Sequence, residues 1–364
     1  MEKIYESFLL SAGECFKSKN LLAQAYGKVV VWLLSYIFHI KHYNKDAIIK
    51  EIKLQAPQRI LDKRLLRKIK RAYFRYRCSA REYLVYDFEN KTPKEIKSYL
   101  LDIQKIVLIT LINNRKVLKT LNAKQKAYEV FKPYYKREIL FVSNKYPVSL
   151  EEFSIFTNKH KEFICKPSNM SLGRGIKKYN IADFSSVEEV YTEIQKRQPV
   201  ILEELLYNDE TFAAFHPESL NIVRVIAFKL KSGKIQIQRA YLSVGQGDKD
   251  YANAASGAIA VPIDLDTGLT YGIGVTEGLD KYNIHPDSGI ELNNYQIEHW
   301  NELLELVQEL ATVMPDVKYV GWDIALTPNG WVVVEGNGNA GQMLYQVMDS
   351  KSVFDEFMNF YMRT

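Results

Sequence analysis

The stretch from Ile222 to Ser243 constrains this chain most. Two β-rich runs, Ile222–Leu230 (IVRVIAFKL) and Lys234–Ser243 (KIQIQRAYLS), are joined only by Lys231–Ser232–Gly233. Three residues containing glycine close a hairpin, whereas a parallel pair needs a crossover of a dozen residues or more. The runs are therefore predicted to pair antiparallel, in an α+β rather than a doubly wound chain. Further β-rich runs at Glu162–Cys165, Val200–Leu205, Ala258–Ile263, Tyr319–Leu326 and Trp331–Glu335 alternate with predicted helices at Ser186–Arg197 and Ile297–Val313.

Upstream of Pro133 and Pro147 the texture changes, and the charge changes with it. Residues 1–120 hold 25 Lys and Arg against 11 Asp and Glu, and residues 121–364 hold 24 against 32, so the formal +6 is the sum of +14 and −8. This asymmetry suggests a basic module facing something anionic and an acidic module built for other chemistry. At 364 residues, with 47% hydrophobic and 25% charged residues, the chain has material for two or three cores and is neither disordered nor collagen-like. It contains no internal repeat or low-complexity segment. Cys15, Cys78 and Cys165 are widely spaced and form no CxxC, which argues against a disulfide framework or zinc site and for a reducing compartment. The start, MEKIYESFLLSAGECFK, mixes acids and bases, unlike a secretory or transit peptide, so a cytoplasmic location is expected.

Within the basic part, Val29–Ile40 (VVVWLLSYIFHI) is the longest apolar run, at twelve residues, short of the roughly 20 that span a bilayer. It reads first as a buried core helix, with an interfacial membrane segment as the alternative. Arg59–Arg77 has nine basic residues and one acid, with Ile60, Leu61, Leu65, Leu66, Ile69 and Tyr73 at helical spacing. That is a basic amphipathic helix, read first as a solvated outer face, with a contact for anionic lipid at the inner face of a membrane, or for a phosphorylated precursor or nucleic acid, as the alternatives. A third helical stretch is predicted over about Pro93–Leu121.

Three motifs carry chemistry. Lys166–Gly175 (KPSNMSLGRG) puts a lysine at a strand end before a loop in which Gly173 and Gly175 allow close backbone approach and Ser168 and Ser171 offer hydroxyls, a phosphate-binding logic. The loop matches neither GxxxxGK[ST] nor GxGxxG, and an ordinary turn is its alternative reading. Asp323 and the Glu335–Gly336–Asn337 sequence flank the tight turn Thr327–Gly330, so a hairpin would bring Asp323, Glu335 and Asn337 together as hard oxygen ligands for Mg²⁺. Val200–Phe212 (VILEELLYNDETF) leads an apolar strand into Glu203 and Glu204 and then Glu210, where edge backbone groups could pair with a purine.

Taken in order with Asn122–Ala123–Lys124, these motifs resemble the ATP-grasp superfamily over about Leu121–Gly341. More narrowly, His216–Val225, Asn253–Gly268, His285–Gly289 with Trp300, and Gly321–Leu326 resemble its sugar-transfer-associated family, tied to cell-surface polysaccharide. The resemblance implies an ATP-grasp fold of two α+β subdomains clamping ATP: a basic helical module at 1–120, a subdomain with the glycine loop at 121–205 and one with the metal site at 206–364. It also implies roles. Lys124 and Lys166 would neutralise ATP phosphates under the Ser168–Gly175 loop. Glu203 would accept from the adenine amino group, the backbone of Glu204, Leu205 and Leu206 would hold the ring edge, and Glu210 would bind the ribose. Asp323, Glu335 and Asn337 would hold one or two Mg²⁺.

Two departures matter. The usual Asp-Lys is Ala123–Lys124 here, with Lys126 as fallback, and Gly321 stands where many carboxylate–amine ligases carry an arginine two residues before the metal Asp. Arg224, mid-strand in an apolar run where a charge needs a partner, is expected to replace it as catalytic donor to an acyl oxyanion, beside Lys166. Asn253, Ser256 and Gly257 form a polar loop for the acceptor, and His285 is a substrate contact or a satisfied loop histidine. The implied function is an ATP- and Mg²⁺-dependent ligase joining a small or sugar-linked carboxylate to an amine. A kinase phosphorylating a hydroxyl and a nucleotide-binding recruitment protein are the alternatives, and no nucleic-acid partner is expected.

Overall fold

The computed structural model describes residues 2–55, 63–168, 175–247, 257–348 and 353–364. Among these, nine helices precede the first strand: α1 (Glu2–Phe16), α2 (Leu21–Lys41), α3 (Lys45–Gln55), α4 (Lys63–Tyr76), α5 (Ala80–Val85), α6 (Pro93–Ser98), α7 (Asp102–Thr110), α8 (Arg115–Asn122) and α9 (Lys124–Tyr135). There follow β1 (Ile139–Val142), α10 (Leu150–Lys159), β2 (Glu162–Pro167), β3 (Lys177–Asn180), α11 (Val187–Lys196), β4 (Val200–Glu204) and α12 (Glu210–Ala213). The last part comprises β5 (Ile222–Lys229), β6 (Ile235–Val244), β7 (Ile259–Ile263), β8 (Gly274–Val275), β9 (Lys281–Tyr282), α13 (Trp300–Val313), β10 (Tyr319–Thr327), β11 (Gly330–Asn337), α14 (Met343–Met348) and α15 (Phe354–Met362).

The strands form two antiparallel sheets, β1-β4-β2-β3 and β11-β10-β5-β6-β7-β8-β9. The chain is α+β, and its first predicted hairpin is present. Strands β5 and β6 pair from Ile222 opposite Ser243 to Lys229 opposite Ile235, and Gly233 turns between them at φ +85°, a backbone region glycine enters without a Cβ clash. Strands β10 and β11 close likewise around Gly330 at φ +83°.

The large sheet is covered on both faces. Trp300, Leu303, Val307 and Leu310 of α13, with Val117, Leu121 and Phe131, pack on Val225, Ile324 and Val333. On the other face Leu108 and Ile109 of α7, Tyr345 of α14 and Phe357 and Tyr361 of α15 pack on Ile226, Phe228 and Tyr319. The small sheet packs Phe163, Tyr179 and Leu202 against Phe153 and Phe156 of α10 and Val190 and Ile194 of α11. Burying each such large side chain contributes about 1.5–3 kcal/mol. The basic helices have their own cluster, with Ile48, Ile52, Leu65, Ile69, Tyr73 and Tyr83 at its centre.

Three expectations change. The stretch 93–121 is not one helix but α6, α7 and α8. The break before α8 is made by Asn113, whose amide nitrogen donates to the Tyr319 carbonyl at 2.7 Å while its oxygen accepts from the N–H groups of Lys318 and Tyr319; Asn114 then caps α8 by accepting from the Val117 N–H. A division at 120 would cut α8, whose Val117 and Leu121 belong to the large sheet's core, whereas residue 205 falls between the strands of the small sheet and those of the large one. Finally, Val29–Ile40 lies in α2 but is not a core helix: Val30 and Ser35 are buried, yet Val29, Trp32, Leu33, Tyr36, Ile37 and Ile40 are exposed.

Candidate active site

A cavity of about 510 Å³ opens between the two sheets and is lined by Lys124, Lys166, Glu203, Arg224, Asp323, Glu335 and Asn337. Lys124 begins α9 and its Nζ donates to the Pro167 carbonyl at 3.4 Å; burial pushes its pKa down. Lys126 is exposed and outside the lining, so Lys124 is the lysine that the fold delivers. From β2, Lys166 Nζ donates to Glu203 Oε2 at 2.9 Å.

The same Glu203 oxygen accepts from Arg137 Nε at 2.9 Å, and Arg137 also donates to the carbonyls of Val333 at 2.8 Å and Val334 at 3.1 Å. One guanidinium thus ties the small sheet to β11. Burial alone would raise the Glu203 carboxyl, but Lys166 and Arg137 outweigh it and hold the pKa at about 2. Sequence reasoning missed Arg137, because its partners lie 66, 196 and 197 residues away and, between Lys136 and Glu138, nothing in the local sequence sets it apart.

At the other wall, Asp323 and Glu335 are directly opposed across the β10–β11 hairpin, and Gly321 opposes Asn337. Asn337 Nδ2 points to Asp323 Oδ2 at 3.5 Å. Burial, and then the Asp323 charge, push the Glu335 carboxyl up, with Lys124 opposing. Arg224 faces Asp323 from β5 and grips both its oxygens, Nη2 to Oδ2 at 2.7 Å and Nε to Oδ1. A Cβ at Gly321 would stand 2.3 Å from the Ala340 Cβ and 3.6 Å from Arg224 Cδ. The wall therefore has no room for a side chain at 321, and the cation comes from the neighbouring strand.

The remaining expectations divide. Leu205 and Leu206 line the cavity. Glu204 lines it too, but its N–H donates to the Glu138 carbonyl and its carboxylate accepts from the Glu138 N–H, so that N–H is not offered to a ring. Glu210 opens α12, is exposed and stands off the lining, where Tyr207 and Asn208 are found instead. Ser168 and Gly175 also lie off it, with the Ser168 N–H donating to the Pro199 carbonyl and Gly175 at φ +74°. Ser171, Gly173, Asn253 and Ser256 are outside the described residues. Gly257, at φ +90°, accepts through its carbonyl from Gln246 Nε2 at 2.6 Å. His285 is the satisfied loop histidine: it is buried, with Nε2 against the Gly245 carbonyl at 2.7 Å and Nδ1 accepting from the Ser288 N–H at 3.3 Å, and it does not line the cavity.

Among the other lining residues that were not anticipated are Tyr241, beside Arg224, and Glu277, which accepts from Arg81 Nη2 of α5 at 3.3 Å. Among the described residues no three His, Cys, Asp or Glu cluster as a self-sufficient metal cage. Asp323, Glu335 and Asn337 instead make an open donor set of two carboxylates and an amide, one that Mg²⁺ accepts when substrate phosphates complete its shell.

No curated protein matches the chain. Among solved structures it is similar to the ATP-grasp ligase PsnB complexed with its minimal precursor, at 13% identity over 71% of this chain and 68% of that one, TM-score 0.41. It is also similar to D-alanyl-alanine synthetase A from Vibrio cholerae, at 13% identity over 70% and 66%, TM-score 0.42. A third is N5-carboxyaminoimidazole synthase from Aspergillus clavatus, at 10% identity over 69% and 53%, TM-score 0.42. The chain thus spans 53–68% of the length of these proteins. The family described as sugar-transfer associated ATP-grasp matches residues 104–361, from α7 through α15, and the chain belongs to that family.

Proposed function

We propose that this chain is an ATP-dependent ligase that activates a carboxylate and joins it to an amine. A carboxylate oxygen attacks the γ-phosphorus, the bond to the β–γ bridging oxygen breaks, and ADP leaves. The amine nitrogen then attacks the acyl phosphate carbon, phosphate leaves with the electrons of the C–O bond, and the nitrogen releases a proton to water. The products are an amide, ADP and phosphate. What carries this reading is one cavity in which Lys124 and Lys166 face the Asp323–Glu335 pair, with the Arg224 guanidinium beside it.

The lysines would balance phosphate charge, with the Ser168–Gly175 loop over them, and Glu203 would accept from the adenine amino group beside Leu205 and Leu206. Mg²⁺, held by Asp323, Glu335 and Asn337, supplies charge neutralisation at the phosphate oxygens when bound. Arg224 keeps Nη1 for the acyl oxyanion while Nε and Nη2 hold Asp323. Glu277 is the acid that this wall offers to an acceptor ammonium. The family's sugar-transfer association supports a sugar-linked or amino-acid carboxylate and amine of a surface polysaccharide precursor, handled in the cytoplasm.

The test is ADP release from MgATP across a panel of sugar acids and amino acids. Release that needs both an acid and an amine supports the ligase. Release with one hydroxylated substrate alone, which Gly321 in place of an arginine favours, makes it a kinase, and no turnover leaves a nucleotide-binding recruitment protein.

A further inference from the structure

Helix α2 exposes Leu22, Val29, Trp32, Leu33, Ile37 and Ile40, each 43–83% accessible. At 3.6 residues per turn these six fall within an arc of about 140°. That is wider than the a/d seam through which a helix pairs with a second helix, and as wide as the apolar face of an interfacial helix. The opposite face is committed to the protein. Val30, with Val31 and Leu34, packs among Leu9, Ala12, Val107 and Leu111, and Gly27 lies so close to α1 that a Cβ there would stand 2.3 Å from the Phe16 nitrogen. A helix held along one side cannot be ringed by lipid, so its 21 residues suit lying along a membrane surface, not crossing it.

The neighbouring charge selects the kind of surface. Helix α4 runs against the end of α2: Tyr73 stacks on His39 with ring centroids 3.5 Å apart, its hydroxyl donates to the His39 carbonyl at 2.8 Å, and the Arg77 guanidinium sits 5.5 Å over the Trp32 ring. Lys63, Arg64, Arg67, Lys70, Arg71 and Arg75 of α4 are all exposed, and the helix contains no acid. Its inner face, Leu65, Ile69, Ala72 and Tyr73, is buried. A broad apolar face beside a row of cations matches a bilayer with anionic headgroups, where each Lys or Arg strengthens binding about fivefold.

We infer that α2 and α4 form a docking surface for an anionic membrane, with the apolar face of α2 immersed at the headgroup boundary and the cations of α4 over lipid phosphates. The surface is joined to the catalytic cavity. Arg81, in the helix that follows α4, reaches Glu277 in the cavity wall, so docking would place that wall beside substrates carried in the membrane. The inference is independent of the ligase reading, because it rests on residues outside the cavity.

The test uses the full chain with vesicles of phosphatidylcholine alone or mixed with phosphatidylglycerol. Trp300, Trp322 and Trp331 are buried and Trp32 is exposed, so a blue shift of tryptophan emission on adding the mixed vesicles reports immersion of Trp32, and Trp32→Phe should abolish it. Leu22→Glu with Ile37→Glu, both at exposed positions that spare the core, should lower partition into the mixed vesicles at least about tenfold, as should Arg67→Glu with Arg71→Glu. Circular dichroism and thermal melting confirm that each variant is folded. Absence of partition into the mixed vesicles, or partition that the α2 pair leaves unchanged, would overturn the inference. So would a dimer in sedimentation velocity that the α2 pair dissociates, since the face would then belong to a second copy.

Discussion

Arg224 and Asp323 face each other across β5 and β10, and the guanidinium holds both carboxylate oxygens, Nη2 reaching Oδ2 at 2.7 Å. The pair joins an acid proposed as a metal ligand to the cation that this wall would otherwise lack. Arg224→Met should lower stability by about 3 kcal/mol, because it leaves the buried Asp323 without its counter-charge. Adding Asp323→Leu should restore most of that loss in urea denaturation without restoring turnover. Gly321→Arg should fail to rescue an Arg224 variant, since Ala340 already fills the space at 2.3 Å.

Glu335→Gln and Asn337→Ala should each reduce MgATP turnover at least about a hundredfold while the fold survives. Burial and the Asp323 charge both disfavour the ionised Glu335 carboxyl, so the Gln variant should melt at or above the wild-type temperature at neutral pH. The wild-type rise in melting temperature on adding MgADP should disappear in both variants. Normal turnover in both would remove the metal assignment.

Glu203 has a folded pKa of about 2 against 4.5, so its contribution to stability is present above pH 4.5 and lost as pH falls towards 2. That contribution is about 3 kcal/mol. Glu203→Gln should be less stable by this order at pH 7, with Lys166 and Arg137 left facing each other, and the gap should close in acid. Chemical denaturation at pH 7 and pH 3 measures it.

Burial pushes His39 from 6.5 down to about 4. A histidine kept neutral by the fold contributes stability above pH 6.5 that falls away as pH drops from 6.5 to 4. His39→Phe should remove this slope while keeping the stack on Tyr73. The quantity to measure is the difference between the two proteins. Glu82, raised to about 7 mainly by burial and then by Asp102, gives an opposite slope between pH 4.5 and 7 that cancels in the subtraction.

The hairpins show what could be read ahead of the fold. A three-residue loop with Gly233 and a tight turn at Gly330 each allow one pairing, so antiparallel strands and the meeting of Asp323 with Glu335 follow from spacing alone. The period of apolar residues likewise places α4 and α13. Strands β1 and β3, of four residues each, were missed because so short a run has no period to detect.

Other outcomes depended on distant parts of the chain. Whether an apolar helix is inside depends on what arrives to cover it, and α2 is left with a bare face although its composition resembles that of a core helix. His285 is taken up by a carbonyl 40 residues away, and Glu210 is carried off the cavity by the short helix it opens. By itself, the sequence determined the β5–β6 and β10–β11 pairings, the acids of the β10–β11 hairpin and the split of charge between the two parts of the chain, because turn length, periodicity and charge act over a few residues. Only the tertiary structure decided that Arg137 clamps Glu203, that the Arg224 guanidinium grips both oxygens of Asp323 and that α2 faces outward, because each depends on which remote surface the chain brings within a few ångströms.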